Sequence, residues 1–296
     1  MDVVFIGTAP FAVPSLQALV AAGHSVPLVV TQPDRPAHRL RVTPSAVKVA
    51  ARELGLEVFQ PKRLRAPEAV ARLRQVPADL YVVAAYGQII SAEVLALPRR
   101  GVINVHASLL PRWRGASPVV AAVLNGDPET GVTIMQMDEL LDHGPVLRSE
   151  STPIGERETA AELTPRLAEM GARLLVETIA DLDTITPQEQ DHDAATRAGK
   201  LSREDGELSW DLDATDIDRR VRALNPWPGV TLELAGHRVK VLRGHPATGS
   251  GRPGVVLDAG RDGVEVAAGR GSYVLEEVQN PGGRPGPAAA TLQHRA

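Results

Sequence analysis

The feature that most constrains the fold is a change of hydrophobic pattern near residue 184 of this chain of 296 residues. Before that point, short β-branched runs alternate with longer amphipathic segments, as in a parallel sheet wrapped by helices. Strands are predicted at residues 3–6, 26–30, 80–84, 102–105 and 132–137. Helices are predicted near residues 14–22, 44–54, 67–74, 118–125 and 159–180, several of them opening with proline.

A polar stretch separates this region from a second one. Residues 184–200 lose hydrophobic periodicity, so 185–203 are predicted to be a linker. Beyond it, one helix near residues 213–223 interrupts short β-like runs at 207–210, 230–234, 239–242, 254–257, 264–267 and 272–278. Such regular spacing favours a small β-barrel of the OB type. The expected fold is therefore α/β, with a Rossmann-like parallel-sheet domain at 1–184 and a small OB-like β-barrel domain at 204–296.

Composition excludes several classes of function. The chain contains no cysteine, so disulfides, thiolate metal sites and a cysteine nucleophile are ruled out. A net charge of −4 argues against non-specific coating of nucleic acid, which needs a surplus of lysine and arginine. The apolar runs are of strand length, too short to span a bilayer, and no basic leader precedes the first of them. A cytoplasmic location is therefore expected.

The glycine loop after the first predicted strand lacks the dinucleotide fingerprint. Its sequence is Gly7-Thr-Ala-Pro-Phe-Ala12 rather than Gly-x-Gly-x-x-Gly, and Pro10 has no amide to bind a pyrophosphate. The chain also lacks a P-loop and a His-Glu-x-x-His zinc motif. We therefore expect neither NAD, ATP nor a metal, and the loop is interpreted as a turn that shapes the cleft.

The strongest functional signal lies at the end of the fourth predicted strand. That apolar run ends in an amide, Asn104, and an imidazole, His106, and a carboxylate, Asp142, follows in the later turn Leu-Asp-His-Gly. An amide and an imidazole can donate hydrogen bonds that stabilise a developing negative charge, and an imidazole paired with a carboxylate can transfer a proton. Taken singly, each residue has a structural alternative, because buried Asn and His often satisfy backbone groups and Asp favours turns. As a set they predict an active site.

These motifs resemble a known family. The segments 101–118 (Gly-Val-Ile-Asn-Val-His-Ala-Ser-Leu-Leu-Pro-Arg-Trp-Arg-Gly-Ala-Ser-Pro), 132–138 and 141–144 are together similar to formyltransferases that use 10-formyltetrahydrofolate. The resemblance implies that Asn104, His106 and Asp142 are the catalytic set. When the amine attacks the formyl carbon, a tetrahedral oxyanion forms, and Asn104 and a protonated His106 would donate hydrogen bonds to it. Asp142 would hold His106 in place and help relay the proton from the amine to N10 of the folate. Neither a covalent intermediate nor a metal is required.

Further segments resemble the members of this family that act on initiator methionyl-tRNA. They are residues 5–12, 31–36, 112–118, 200–206 and 225–229. The last two discriminate best, because formyltransferases of glycinamide ribonucleotide resemble only the first part. The resemblance implies transfer of the formyl group to the amino group of methionine on initiator methionyl-tRNA, and a monomer is expected.

The folate is expected to contact loops at strand carboxyl ends, where open α/β sheets bind ligands. This principle selects residues 86–90 and 136–142, and the resemblance adds the turn at 108–111. The predicted contacts are Tyr86, Gln88, Ile89, Ile90, Ser108, Leu109, Leu110, Pro111 and Asp138. Ile89 and Ile90 also have an interpretation as plain core residues.

For tRNA, the relevant segment is the loop at residues 34–44, which is rich in cations and too polar for regular structure. In the family this loop reaches the acceptor end, which would give Arg35, Arg39 and Arg41 phosphate or base contacts. A solvated charged face is the alternative. From Lys200 onward, basic and acidic residues are equal in number, so only a local cluster such as Arg219, Arg220 and Arg222 could contact tRNA there.

Other functions stay open from the sequence alone. A formyl-folate hydrolase would use water in place of the amine, and a related formyltransferase would act on another amine. A non-catalytic tRNA- or folate-binding module would keep the site residues without turnover.

Overall fold

The computed structural model describes residues 1–36 and 42–292. The strands, in chain order, are β1 Asp2–Gly7, β2 Ser25–Val30, β3 Arg35–Pro36, β4 Val42–Thr43, β5 Val58–Phe59, β6 Leu80–Ala84, β7 Val102–His106, β8 Arg114–Gly115, β9 Glu129–Gln136, β10 Val146–Pro153, β11 Arg197–Ala198, β12 Val230–Leu234, β13 His237–Ala247, β14 Val256–Gly260, β15 Gly263–Ala267, β16 Ser272–Gln279 and β17 Gly286–Pro287. The helices are α1 Val13–Ala21, α2 Ala46–Glu53, α3 Pro67–Arg74, α4 Ala92–Leu95, α5 Pro118–Asn125, α6 Ala160–Ala180, α7 Ala214–Leu224 and α8 Ala288–Thr291.

The first of two compact units comprises Met1–Pro118, Glu129–Pro153 and Thr164–Ala198. Its large sheet has the strand order β10-β9-β7-β6-β1-β2-β5. The strands from β5 to β7 in this order are parallel, which confirms the Rossmann-like α/β class. The sheet as a whole is mixed, because at its other edge β9 runs antiparallel to β7 and β10 runs antiparallel to β9. The loop between β9 and β10 is too short for the crossover that a parallel pair needs.

The two faces of β7 have different environments. Every residue of β7 is buried, as expected for a strand covered on both faces. Val105 lies beneath α6 at Gly171, where an added Cβ would lie only 2.8 Å from Cγ1 of Val105. Because side chains alternate along a strand, Asn104 and His106 lie together on the opposite face. The face of β7 that carries Val105 is thus closely packed, and the opposite face carries the polar residues.

A hydrophobic core that includes β6 packs strands of this sheet against α3. Its buried members include Val4, Ile6, Leu73, Tyr81 and Val83. The helix α3 begins at Pro67, where a missing backbone N–H costs nothing. This core holds β6 and the loop that follows it, residues 85–90, against the sheet.

The second unit comprises Val119–Pro128, Ile154–Leu163 and Gly199–Ala296. Its antiparallel sheet has the order β12-β13-β16-β15-β14, with β17 pairing with β16, and α7 lies against β12, β13 and β16. The second unit thus has the small antiparallel sheet that was predicted, and besides α7 it contains α8, a short helix that the sequence did not predict. The strand predicted at residues 207–210 does not form, and Glu207 makes only an isolated bridge with Thr231.

The segment predicted as a linker, 185–203, contains strand β11, which pairs in parallel with β8. Its residues up to Ala198 belong to the first unit. Within the described ranges, no helix combines the length and the hydrophobicity that a membrane span requires.

Candidate active site

Asn104 and His106 are polar side chains in an otherwise apolar, buried strand. They are 8% and 5% exposed. Buried polar groups cost free energy unless they are hydrogen-bonded, so their partners matter. Asn104 Nδ2 donates to Oδ1 of Asp142 at 3.4 Å, and His106 Nε2 lies 3.0 Å from the carbonyl oxygen of Trp113.

Asp142 closes the group. Its Oδ2 accepts a hydrogen bond from the backbone N–H of Gly115 at 2.8 Å and lies 3.7 Å from His106 Nδ1. The second distance is a charge contact rather than a hydrogen bond. Asp142 has a φ of 47°, in the left-handed region that residues with a Cβ seldom adopt. The structure thus brings the three predicted catalytic residues together at one point.

Each ring nitrogen of His106 faces an oxygen atom. One ring nitrogen faces the Trp113 carbonyl and the other faces the Asp142 carboxylate, so both face oxygen acceptors. A neutral imidazole can donate to only one of them, whereas an imidazolium can donate to both. Trp113, like Asp142, has a positive φ, of 60°. Both oxygen atoms that face the His106 ring therefore belong to residues in an uncommon backbone conformation.

The loop between β9 and β10 reaches this site by folding back. Because β9 is antiparallel to β7, its carboxyl end at Gln136 pairs with Ile103, near the start of β7. The carboxyl-end principle that selected residues 136–142 therefore does not apply to β9. The loop turns at Gly144, where an added Cβ would lie 2.1 Å from the Gln136 carbonyl oxygen. This close approach explains the glycine of the Leu-Asp-His-Gly turn.

The turn at 108–111 is held from within. Ser108 is fully buried, and its Oγ donates to the Arg112 carbonyl at 2.6 Å. Thr133 Oγ1 donates to the Ser108 carbonyl at 2.7 Å and accepts from the Leu110 N–H at 3.1 Å. Leu109 and Leu110 are half-buried. Thr133 thus fastens the turn to β9, and the Ser108 hydroxyl closes the turn on itself through the Arg112 carbonyl.

The loop after β6 contains four of the predicted folate contacts. Tyr86 is buried in the core, its hydroxyl finds no hydrogen-bond partner among the described residues, and burial raises the pKa of its phenol. Gln88 is tied to the chain nearby, since its Oε1 accepts from the Leu64 N–H at 3.0 Å. Ile90 is buried with the core, whereas Ile89 is 71% exposed. Ile89 is therefore the side chain of this loop that can face a ligand.

Exposed apolar side chains also mark the Asp142 loop. Leu140 and Leu141 are 61% and 62% exposed. They line a cavity of about 320 Å³ together with His143, His192 and other residues of the first unit. Asp138 is fixed at the start of this loop, with Oδ1 accepting from the Leu140 N–H at 2.9 Å. Apolar surface beside buried polar groups is typical of a pocket for a flat organic ligand.

Sequence reasoning missed a group of residues that supports the Asp142 loop. Gln190, which is buried, donates from Nε2 to the carbonyl oxygens of Asp142 and Gly144 at 3.0 Å and 2.7 Å. Arg114 donates to Gln190 Oε1 from Nε at 3.1 Å and from Nη2 at 2.7 Å. Gln190 lies in the predicted linker, where no pattern singled it out.

Two histidines complete this supporting group. His192 Nδ1 lies 2.9 Å from Arg114 Nη2, and its ring stacks on that of His143 with centroids 3.9 Å apart and planes 6° apart. His143 Nδ1 in turn lies 2.6 Å from Oδ2 of Asp138. In the described part of the chain, no three His, Cys, Asp or Glu side chains are grouped so as to hold a metal ion.

The predicted tRNA loop is described only at its two ends. Arg35 lies in β3, which pairs with β4 in the register Arg35–Thr43, so the expectation of no regular structure is wrong at these ends. Arg39 and Arg41 lie outside the described residues. Asp34, at the base of the loop, is held by Lys48 at 2.5 Å, and this hydrogen bond lowers the pKa of its carboxyl.

Comparison with known proteins identifies the family. The sequence model of the formyl transferase family matches residues 1–179, and that of the formyl transferase C-terminal domain matches residues 200–296. The methionyl-tRNA formyltransferase of Thiobacillus denitrificans is 50% identical, over 100% of this chain and 97% of that protein.

Two solved structures share the fold at low identity. HypX from Aquifex aeolicus in complex with tetrahydrofolic acid has a TM-score of 0.65 at 17% identity, covering 98% of this chain and 46% of HypX. The N-formyltransferase from Helicobacter canadensis, in complex with folinic acid and dTDP-3-aminofucose, has a TM-score of 0.69 at 17% identity, covering 92% of this chain and 97% of that one. Both domain models match in order, and a relative is half identical over the whole chain. This chain therefore belongs to the formyltransferase family and, within it, to the methionyl-tRNA formyltransferases.

Proposed function

We propose that this formyltransferase moves the formyl group of 10-formyltetrahydrofolate to the amino group of methionine on initiator methionyl-tRNA. The observation that carries the proposal is the convergence of Asn104 and His106 on the Asp142 carboxylate, on a buried face of β7. The activity named for the Thiobacillus relative supports the acceptor. The folates bound to HypX and to the Helicobacter enzyme support the donor.

Asn104 and His106 supply hydrogen-bond donors for the charge that develops on the formyl oxygen. An amide and an imidazolium in a buried setting are worth far more than in water, because they need no reorganisation during the reaction. Loss of one such donor typically lowers turnover by about 10²–10³. For His106 to donate from Nε2, its bond to the Trp113 carbonyl must be exchanged for one to the substrate.

Asp142 stabilises the cationic form of His106 and helps move the proton. The amine must lose a proton when it attacks, and the folate nitrogen must gain one when it leaves. A carboxylate 3.7 Å from the imidazole ring can accept that proton directly or through a water molecule. This role requires the Asp142 carboxylate to be held in place, which the hydrogen bond from the Gly115 N–H does.

The residues around the site fit a folate. Ile89, Leu140 and Leu141 leave apolar side chains exposed, which suits a flat ring, and backbone groups of residues 86–90 and 138–142 offer donors and acceptors. The turn formed by Ser108, Leu109, Leu110 and Pro111 would contact the folate, as the resemblance to the family implies. When bound, the folate supplies the formyl group that is transferred.

The acceptor end of the tRNA is proposed to meet the loop at residues 34–44. Arg35, Arg39 and Arg41 would neutralise its phosphates, so binding should weaken as salt rises. A monomer acting in the cytoplasm completes the proposal.

The test is formyl transfer from 10-formyltetrahydrofolate by the purified chain to a panel of acceptors. The panel contains initiator methionyl-tRNA, elongator methionyl-tRNA, glycinamide ribonucleotide, an amino sugar and water. We expect fast transfer to the initiator tRNA alone. Transfer to another amine or to water would overturn the acceptor while keeping the catalytic group, and no transfer at all would overturn the proposal.

A further inference from the structure

We propose that Gln190 is a positioning residue for Asp142, and that Arg114 and His192 fix the orientation of Gln190. This inference rests on the catalytic role of Asp142 proposed above. Gln190 touches neither Asn104 nor His106 by any observed hydrogen bond, so its effect on the reaction has to pass through the Asp142 loop.

The amide of Gln190 has only one satisfied orientation. Its nitrogen faces two carbonyl oxygens, those of Asp142 and Gly144, and its oxygen faces the guanidinium of Arg114. A guanidinium only donates and a carbonyl only accepts, so exchanging the two ends of the amide would break every one of these bonds. Since Gln190 is buried, breaking these bonds would leave polar groups unsatisfied, which costs free energy.

Gln190 thereby fixes the backbone on both sides of His143. Asp142 is held in the left-handed conformation, which its own backbone does not favour and which the surroundings must impose. Two carbonyls pinned by one amide impose it. In that conformation Oδ2 of Asp142 meets the Gly115 N–H, and Oδ1 meets Asn104. A displacement of about 1 Å at such a site lowers turnover by about 10²-fold.

His192 and Arg114 lock this arrangement from outside. Because Arg114 only donates, His192 Nδ1 must accept from it, which leaves the imidazole proton on Nε2. The His192 ring also stacks on His143, whose Nδ1–H donates to the Asp138 carboxylate. Residues 138–144 and 190–192 are thus joined by two independent links, one through Gln190 and one through the stacked rings.

The test compares Gln190→Glu with a matched control, Gln188→Glu. Glutamate keeps the size of Gln190 and still accepts from Arg114, but it cannot donate to the two carbonyls. Gln188 is an exposed glutamine two positions away on the same segment. We expect Gln190→Glu to lower kcat by at least about 10-fold with both KM values within about 3-fold, and Gln188→Glu to change kcat by less than about 2-fold.

The same substitution in an Asp142→Asn chain distinguishes a positioning role of Gln190 from general disruption of the structure. In an Asp142→Asn chain, Gln190→Glu should cost less than about 2-fold in kcat, because the group that it positions has already been removed. An equal loss in both backgrounds, or a loss no larger than that of Gln188→Glu, overturns the inference.

A measurement that does not depend on turnover tests the inference even if the unmodified chain is inactive. In chains labelled with ¹⁵N-glycine, the amide signal of Gly115 reports its hydrogen bond to Asp142. Gln190→Glu should move this signal and Gln188→Glu should not, and an unmoved signal overturns the inference even if the unmodified chain transfers no formyl group. That last result would overturn the proposed function separately.

If Gln190→Glu does not fold, the exposed residue His192 carries the test. His192→Gln keeps an acceptor for Arg114, whereas His192→Phe keeps a ring to stack on His143 but has no acceptor. We expect His192→Phe to lower kcat by about 5-fold more than His192→Gln does and to move the Gly115 signal further, because only His192→Phe leaves Arg114 without an acceptor at this position. Equal behaviour of the two variants overturns the inference.

Discussion

Asp142 accepts a hydrogen bond from the backbone N–H of Gly115 at 2.8 Å, a shorter approach than the 3.7 Å between its carboxylate and His106 Nδ1. The position of the carboxylate is therefore set by backbone, while its charge is directed at the imidazole. Position and charge are thus separable by mutation at this residue.

Asp142→Asn removes the charge and keeps an oxygen for the Gly115 N–H. We expect kcat to fall by about 10²–10³, because the cationic form of His106 loses its counter-charge, while the KM for the folate changes by only a few-fold. Steady-state formylation of initiator methionyl-tRNA measures this. The matched control is Asp193→Asn, an exposed aspartate of the same unit that should keep full activity. Activity within about 3-fold of the unmodified chain would remove Asp142 from the catalytic group.

His106→Ala removes the proposed donor to the formyl oxygen and leaves Asn104 and Asp142 in place. We expect most of the turnover to be lost, with folate affinity within a few-fold of the unmodified chain. Single-turnover formylation gives the first quantity, and titration with 5-formyltetrahydrofolate gives the second. If transfer survived unchanged, the assignment of His106 would be wrong.

The sequence could predict that the proposed catalytic residues lie together because two of them are local. Asn104 and His106 are two positions apart, so any strand places them on one face. The path of the Asp142 loop could not be predicted in the same way, since it depends on the antiparallel direction of β9. The contacts of Gln190 with Asp142 and Arg114 could not be predicted from the sequence for a similar reason. It is 48 residues from Asp142 and 76 from Arg114, and no periodicity relates them.

Side-chain direction in loops is the other part that sequence reasoning did not reach. The position of residues 86–90 after a buried strand correctly identified a loop at the carboxyl end of β6. It did not show that the Tyr86 ring turns into the core or that the Gln88 amide is held by the Leu64 N–H. Those directions follow from which neighbours fill the space, and that information is tertiary.

Gly144→Ala places a Cβ 2.1 Å from the Gln136 carbonyl oxygen, so the loop carrying Asp142 has to move. We expect a loss of about 1–3 kcal/mol in the free energy of unfolding and at least about a 10-fold loss of kcat. The control is Gly199→Ala, where nothing lies within 4 Å of an added Cβ. Denaturant unfolding and formylation assays on both variants check this. Equal, small effects in the two would mean that the loop tolerates a shift at Gly144.

Tyr86→Phe tests whether the Tyr86 hydroxyl binds the ligand. The hydroxyl is buried without a partner among the described residues, so its removal relieves a cost rather than breaking a bond. We expect the free energy of unfolding to stay constant or to rise by about 1 kcal/mol, and the KM for the folate to stay within about 2-fold. A KM raised by about 5-fold or more would assign the hydroxyl to the ligand after all.

Glu276 in β16 should make the second unit sensitive to acid. Its Oε1 accepts from Arg157 Nη2 at 2.8 Å and from His245 Nδ1 at 2.7 Å, and its Oε2 lies 2.9 Å from Arg243 Nε. Burial alone raises the pKa of this carboxyl, but the hydrogen bonds from Arg157 and His245 outweigh burial and hold the pKa below its ordinary value of 4.5.

A carboxyl whose pKa is lowered by folding stabilises the protein above its unfolded pKa, and that contribution is lost as the pH falls through the folded pKa. Glu276→Gln should therefore lower Tm by about 2 °C near neutral pH, and this difference should shrink below about pH 4.5 as the unmodified carboxyl takes up its proton. Thermal unfolding at several pH values measures the difference. The control is Glu277→Gln, on the opposite face of β16, which should show a smaller change. A difference that stayed constant down to about pH 3.5 would mean that Glu276 stabilises the unit through packing and not through its charge.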